Sequence, residues 1–365
     1  MRLKPRPEID ALPPYVPGTS LEEAREATGH QRMVKLASNE SLWGPSPEAL
    51  AALQRSLGQV PLYPPMQDPQ LIRQLAQETG LPGDHIILGN GADELLRLAA
   101  QAYVNPGEEI IFPTPSFSAY YQCARLVGAS PKPVPLGEDG ANDLDAVLSQ
   151  VTANTRLVYL CAPNNPTGAA FPRARWQAYL ERVPENVLTV VDGAYLEFCP
   201  DEVRPDFIQA IRTAKPVLLV RTFSKLYALA GLRIGWAAGR PELVAPLLKA
   251  RDPFSVSWPA ILAARASLAD KPYFARVLEE TAEARRWLTQ EMAARGYSTF
   301  TSHANFVTVD VRQSAQEIAQ AMMAQGFVVR PATSFGLPSH VRITVAPKTI
   351  LLDFLDAWDR VLGIR

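Results

Sequence analysis

Lys225 follows the run Val217-Leu218-Leu219-Val220-Arg221-Thr222-Phe223-Ser224, which opens apolar and β-branched and closes in hydroxyls. Such a run reads as a buried strand. A lysine at its end is poorly hydrated, so its pKa falls and the neutral amine can add to a carbonyl. Arg233 comes eight residues later with Gly231 and Gly235 on either side. The Thr222 and Ser224 hydroxyls and the Arg233 guanidinium, a fork of donors, suit a phosphate. The competing reading is a surface lysine after an edge strand, which the density of hydroxyls, glycines and arginine disfavours. A carbonyl and a phosphate on one small molecule point to pyridoxal 5′-phosphate.

Other stretches extend this chemistry. Val187-Leu188-Thr189-Val190-Val191 ends in Asp192, with Tyr195 three residues on. A carboxylate there is costly unless paired. It can hold a protonated pyridine nitrogen, with Tyr195 reaching the same ring, or it can cap the next helix. Ile86-Ile87-Leu88 runs through Gly89-Asn90 into Gly91, Ala92 and Asp93. Backbone N–H groups at such a helix start bind anions, although an ordinary strand–helix turn reads the same way. In Ala162-Pro163-Asn164-Asn165-Pro166-Thr167-Gly168 one asparagine can hold the turn, leaving Asn165 to point elsewhere. Phe117, just past the strand that starts at Glu109, either stacks on a planar ring or packs in the core. Arg342, among β-branched neighbours, is either a snorkelling edge residue or a bidentate clamp on a carboxylate.

These residues need a scaffold. Strands alternate with helices from about 85 to 240, which predicts an α/β fold with a mostly parallel sheet. Helices are expected at about 241–250, 259–268 and 272–295. The residues from 297 on read as a smaller α+β unit. The division drawn is an arm at 1–34, packing on the small unit or a partner, a large unit at 35–255 and a small unit at 256–365. The crevice between the units is the natural binding site. With 365 residues, 47% hydrophobic and 20% charged, a large core is possible. The formal charge of −1, without a basic stripe, argues against nucleic acid and anionic membranes as partners. Cys123, Cys161 and Cys199 lack metal-ligand spacing, so no metal is expected. The cysteine usage and the absence of a signal-like or membrane-length apolar run fit a cytoplasmic protein.

Taken together, Lys35-Leu36-Ala37-Ser38-Asn39-Glu40, Asn90-Gly91-Ala92-Asp93-Glu94, Asn164-Asn165-Pro166-Thr167-Gly168, Asp192 with Tyr195, Arg221-Thr222-Phe223-Ser224-Lys225, Gly231-Leu232-Arg233-Ile234-Gly235 and Val341-Arg342-Ile343-Thr344 resemble the fold-type I pyridoxal-phosphate aminotransferases. In detail they resemble the histidinol-phosphate aminotransferase family. The resemblance implies that Lys225 holds the cofactor covalently and shuttles a proton, and that Asp192 pairs with the ring nitrogen. Tyr195 and Asn165 would hold the ring oxygen, with Phe117 stacked on the ring. Gly91, Ala92, Asp93, Thr222, Ser224 and Arg233 would bind its phosphate. Tyr63 matches a tyrosine that reaches the partner subunit's phosphate, implying a homodimer. Arg342 matches the substrate-carboxylate clamp, and Tyr15 and Arg330 match positions near the distal phosphate. The implied reaction moves an amino group from L-histidinol phosphate to 2-oxoglutarate.

This sequence departs from the family pattern at Gly193, where an acid is usual, at Phe117, where tyrosine is frequent, and at Trp43 and Phe254. Trp43 and Phe254 could line the substrate side, which gives weight to an aromatic amino acid transaminase. A threonine-phosphate decarboxylase is a further alternative. A non-catalytic cofactor-sensing module would need a DNA-binding domain, and only about 34 residues precede the first strand.

Overall fold

The computed structural model describes residues 3–12, 14 and 18–364. Tyr15 lies outside the described residues. Two sheets organise the chain. The larger has seven strands, in the order Ile86–Gly89, Gly235–Ala238, Val217–Thr222, Leu188–Asp192, Thr155–Cys161, Glu109–Thr114, Ser130–Pro135. The five from Val217–Thr222 to Ser130–Pro135 run parallel, and Gly235–Ala238 is antiparallel to both of its neighbours. Leu188–Asp192 is buried at every position, and so are Val217 to Val220, because helical layers cover both faces.

The parallel strands all deliver their C-terminal ends to one edge. Cys161 pairs with Asp192, and Asp192 with Val220. The residues just past those ends therefore converge above the same edge, where open α/β sheets bind ligands.

The smaller sheet has five strands, in the order Val34–Leu36, Phe327–Pro331, His340–Thr344, Phe306–Asp310, Ser298–Thr299. Val34–Leu36 runs parallel to Phe327–Val329. The boundary expected at residue 35 therefore falls inside a strand of the small sheet: the chain enters there before crossing to the large one. The boundary at 255 also shifts. Trp258–Ala269 packs its buried Ile261, Ala263 and Ala264 into the core of the larger sheet. The chain leaves that core only with the long helix Lys271–Ala294, which buries Leu288 and Met292 under the smaller sheet. In the arm, Leu21–Thr28 is closed by a Ser20/Glu23 capping box, and its Ala24 packs against Val328.

Candidate active site

A cleft of about 420 Å³ opens where the two sheets meet, and Lys225, Asp192, Tyr195, Asn165, Phe117, Ala92, Asp93, Thr222, Ser224, Arg233, Arg330 and Arg342 all line it. Lys225 follows the strand Val217–Thr222, and its Nζ donates to the carbonyl of Ser38 at 3.1 Å. Nζ also sits 5.6 Å from the centre of the Tyr195 ring. Burial, with the nearby positive charge of Arg342 as the next cause, lowers the Lys225 pKa to about 8. A useful fraction of neutral amine is thus present near neutral pH.

Asp192 ends its strand buried. Its Oδ2 accepts from the Tyr120 hydroxyl at 2.8 Å and its Oδ1 from the Ala194 N–H at 3.1 Å. Burial raises its pKa to about 6, against the lowering effect of those two hydrogen bonds. Tyr195 accepts from Asn39 Nδ2 at 3.0 Å. Asn39 in turn is gripped from the small sheet: its N–H donates to Thr344 Oγ1 at 3.0 Å, and its carbonyl accepts from Asn305 Nδ2 at 3.0 Å. One buried asparagine thus joins the two units at the cleft.

In the turn after Thr155–Cys161 the two asparagines take different partners, and Asn165 presents its oxygen rather than the donor expected. Asn164 holds the turn, donating to Thr167 Oγ1 at 3.0 Å and accepting from Ser116 Oγ at 2.7 Å. Asn165 Oδ1 points across the cleft and accepts from Arg342 Nη1.

The anion end is built from backbone as well as side chains. Gly91–Tyr103 begins without a side-chain cap, and its first-turn residues Ala92 and Asp93 line the cleft. Thr222 Oγ1 and Ser224 Oγ lie 3.0 Å apart, and Arg233 Nη1 donates to Ser224 at 3.4 Å and Nη2 to Asp93 at 3.3 Å. Two glycines permit this closeness. Gly91 has φ +78°, and a Cβ there would run into the Arg233 guanidinium. A Cβ on Gly235 would stand 2.7 Å from the Arg221 carbonyl and 3.0 Å from the Ala92 nitrogen.

Arg342 is not an edge residue. Its strand is paired on both sides, and its side chain is buried, with Nη2 donating to the Ala37 carbonyl at 2.7 Å. Arg330 is its direct cross-strand partner, so both arginines share one face of the small sheet. Phe117 is half-buried at the cleft wall, edge-on to Tyr120 at 5.9 Å.

Trp43, Phe254, Tyr63 and Gly193, all singled out from the sequence, do not line this cleft. Trp43 donates its indole N–H to Glu280 at 2.6 Å and packs among small-unit apolar side chains, so it does not line the cleft. Phe254 stacks on Tyr63 at 4.7 Å, and Tyr63 is 80% exposed. At Gly193 a Cβ would stand 3.0 Å from Arg221 Cδ, whose guanidinium pairs with Glu197 at 2.7 Å. Sequence reading assigned no role to Asn39 or Tyr120. Asn39 sits in the stretch Ser38-Asn39-Glu40, and Tyr120 is three residues past Phe117, but their partners are far away in the chain.

The arrangement matches a known family. Residues 31–351 fit the family of class I and II aminotransferases. The chain belongs to that family. A histidinol-phosphate aminotransferase from Symbiobacterium thermophilum is 41% identical over 98% of both chains. One from Moorella thermoacetica is 36% identical over 99% of this chain and 93% of its own. Among solved structures, the histidinol-phosphate aminotransferase of Sinorhizobium meliloti, in complex with pyridoxal-5′-phosphate, superposes with a TM-score of 0.88 at 30% identity, covering 98% of this chain and 97% of that one. The aspartate aminotransferase of Thermus thermophilus shares the fold, with a TM-score of 0.84 at 23% identity. This aminotransferase has the fold-type I architecture of those neighbours. Among the described residues no helix is long and apolar enough to cross a membrane.

Proposed function

We propose that this aminotransferase binds pyridoxal 5′-phosphate in the cleft and transfers the amino group of L-histidinol phosphate to 2-oxoglutarate. The residues present fit the cofactor. A lysine of lowered pKa, a buried carboxylate with two hydrogen bonds, and hydroxyl, guanidinium and helix N–H donors lie in one cleft. Bound there, the cofactor supplies an electron sink for the charge left when a substrate carbon loses its proton.

The chain does the rest. Lys225 takes the proton from the substrate carbon and returns one on the other side of the transfer. Asp192 would offer its negative charge to the ring nitrogen. Tyr195 and Asn165 would hold the ring oxygen, and Phe117 would pack on the ring. Gly91, Ala92, Asp93, Thr222, Ser224 and Arg233 would hold the phosphate.

The substrate assignment is carried by the cross-strand pair Arg330–Arg342 on the cleft face of the small sheet. Both guanidiniums line the cleft from that face and offer forked donors to an anion. The phosphate of histidinol phosphate and the carboxylates of glutamate and 2-oxoglutarate can each accept from such forked donors, so one site serves both halves of the exchange. The relatives named above, which act on histidinol phosphate by their names, support the same substrate. The aromatic reading rested on Trp43 and Phe254; Trp43 does not line the cleft, and Phe254 is engaged in stacking on Tyr63.

A comparison of L-histidinol phosphate with L-histidinol tests the assignment. Removing the phosphate should lower kcat/KM by roughly two orders of magnitude or more, the scale of losing charge-assisted hydrogen bonds to a bound anion. Equal kcat/KM for the two would overturn it. A homodimer, with Tyr63 of each chain reaching the other's site, and a cytoplasmic setting complete the proposal.

A further inference from the structure

Tyr120 touches none of the ligand positions assigned above, yet it is joined to one of their holders. It belongs to the helix Ala119–Leu126 and is fully buried, stacked on Tyr159 with ring centres 5.0 Å apart and planes 17° apart. Its hydroxyl donates to Asp192 Oδ2 at 2.8 Å. The Ala194 N–H holds the other oxygen. Among the described residues, the other titratable or charged groups acting on Asp192 are the Cys161 thiol on the neighbouring strand, the Tyr195 phenol, Asp93 at the start of Gly91–Tyr103, and Lys225.

We propose that Tyr120 is a positioning residue that keeps Asp192 ionised and aimed at the ring nitrogen of the cofactor. The inference rests on the pyridoxal-phosphate reading and adds to it the residue that sets the state of the carboxylate. The geometry supports it in two ways. A carboxylate held at each oxygen by a different donor cannot rotate without breaking a charge-assisted hydrogen bond. Burial works to protonate Asp192, and the Tyr120 hydrogen bond works against burial. The phenol itself stays a donor, since burial pushes its own pKa well above the ordinary value.

The test uses the cofactor-free protein and pyridoxine 5′-phosphate, whose alcohol replaces the aldehyde and so cannot react with Lys225. Its dissociation constant is measured by calorimetry across a pH series. Tyr120→Phe deletes one oxygen and keeps the stacked ring. It should weaken binding roughly tenfold or more near neutral pH, and the loss should shrink as pH rises and Asp192 ionises unaided. Tyr159→Phe is the packing control: it alters the same stack, but its hydroxyl donates to the Leu96 carbonyl at 2.7 Å. It should stay within about twofold of the unaltered protein. In an Asp192→Asn background, Tyr120→Phe should add no further loss. Equal losses for the two tyrosine variants, or a Tyr120 effect that persists undiminished beside Asp192→Asn, would overturn the inference alone. Failure of the unaltered protein to bind pyridoxine 5′-phosphate at any pH would overturn the cofactor reading, and this inference with it.

Discussion

The proposed function gives Lys225 two jobs, and one substitution separates them from folding. Lys225→Ala should lower turnover by at least about 10²–10⁴-fold, the acid–base share, with covalent cofactor attachment lost as well. Absorbance spectra and single-turnover assays check this. The same lysine sets a pH dependence of stability. Its pKa falls from 10.5 to about 8 in the folded chain, first through burial and next through Arg342. Between those values the unfolded chain keeps a proton that the folded chain has shed. Stability of the cofactor-free protein should therefore rise with pH across that window, and the cost of the buried charge is fully present below it. Lys225→Met should flatten the rise in urea-unfolding curves taken along that range. Arg330→Gln, one partner of the facing pair, should raise KM for histidinol phosphate about tenfold or more. Its effect on L-histidinol should be much smaller.

At the scale of elements, close backbone contact predicts the effect of one methyl group. Gly235 lets the strand Gly235–Ala238 lie against the start of Gly91–Tyr103, and a Cβ would press on the Arg221 carbonyl and the Ala92 nitrogen. Gly235→Ala should destabilise the fold by about 1–3 kcal/mol and weaken inorganic phosphate binding at the helix start; thermal melts with and without phosphate measure both. The strands that carry Asp192 and Lys225 were legible in the sequence because parallel strands buried on both faces are nearly continuous β-branched runs. Ser130–Pro135 was not. It contains Pro131, Pro133 and Pro135, which read against a strand, and it sits at the sheet edge, where missing N–H groups are tolerated. Asn39 and Tyr120 carried no local signal, because each acts through a partner 72 or more residues away. Trp43 and Phe254 show the converse. An aromatic side chain near a site in sequence gives no direction, and tertiary packing turned Trp43 toward Glu280 and Phe254 toward Tyr63.

At the scale of the whole molecule two sheets meet at the cleft, and an apolar stretch away from it is left exposed. Leu57, Val60, Leu62, Tyr63 and Met66 are all exposed within ten residues. Such a patch marks an interaction surface, and with the proposed role of Tyr63 it predicts a two-chain mass in sedimentation equilibrium. Tyr63→Ala should weaken cofactor affinity in the dimer while leaving each chain folded. The proposed substrate belongs to this scale, because the small sheet brings Arg330 and Arg342 to the cleft while the large sheet brings Lys225 and Asp192. The most direct measurement is the half-reaction. The cofactor-loaded protein, without an oxo acid, is mixed separately with L-histidinol phosphate, L-phenylalanine and L-glutamate, and the loss of the cofactor's visible absorption band is followed in time. The account predicts rapid conversion by histidinol phosphate at micromolar concentration, conversion by glutamate, and far slower conversion by phenylalanine. Conversion by phenylalanine as fast as by histidinol phosphate would contradict it.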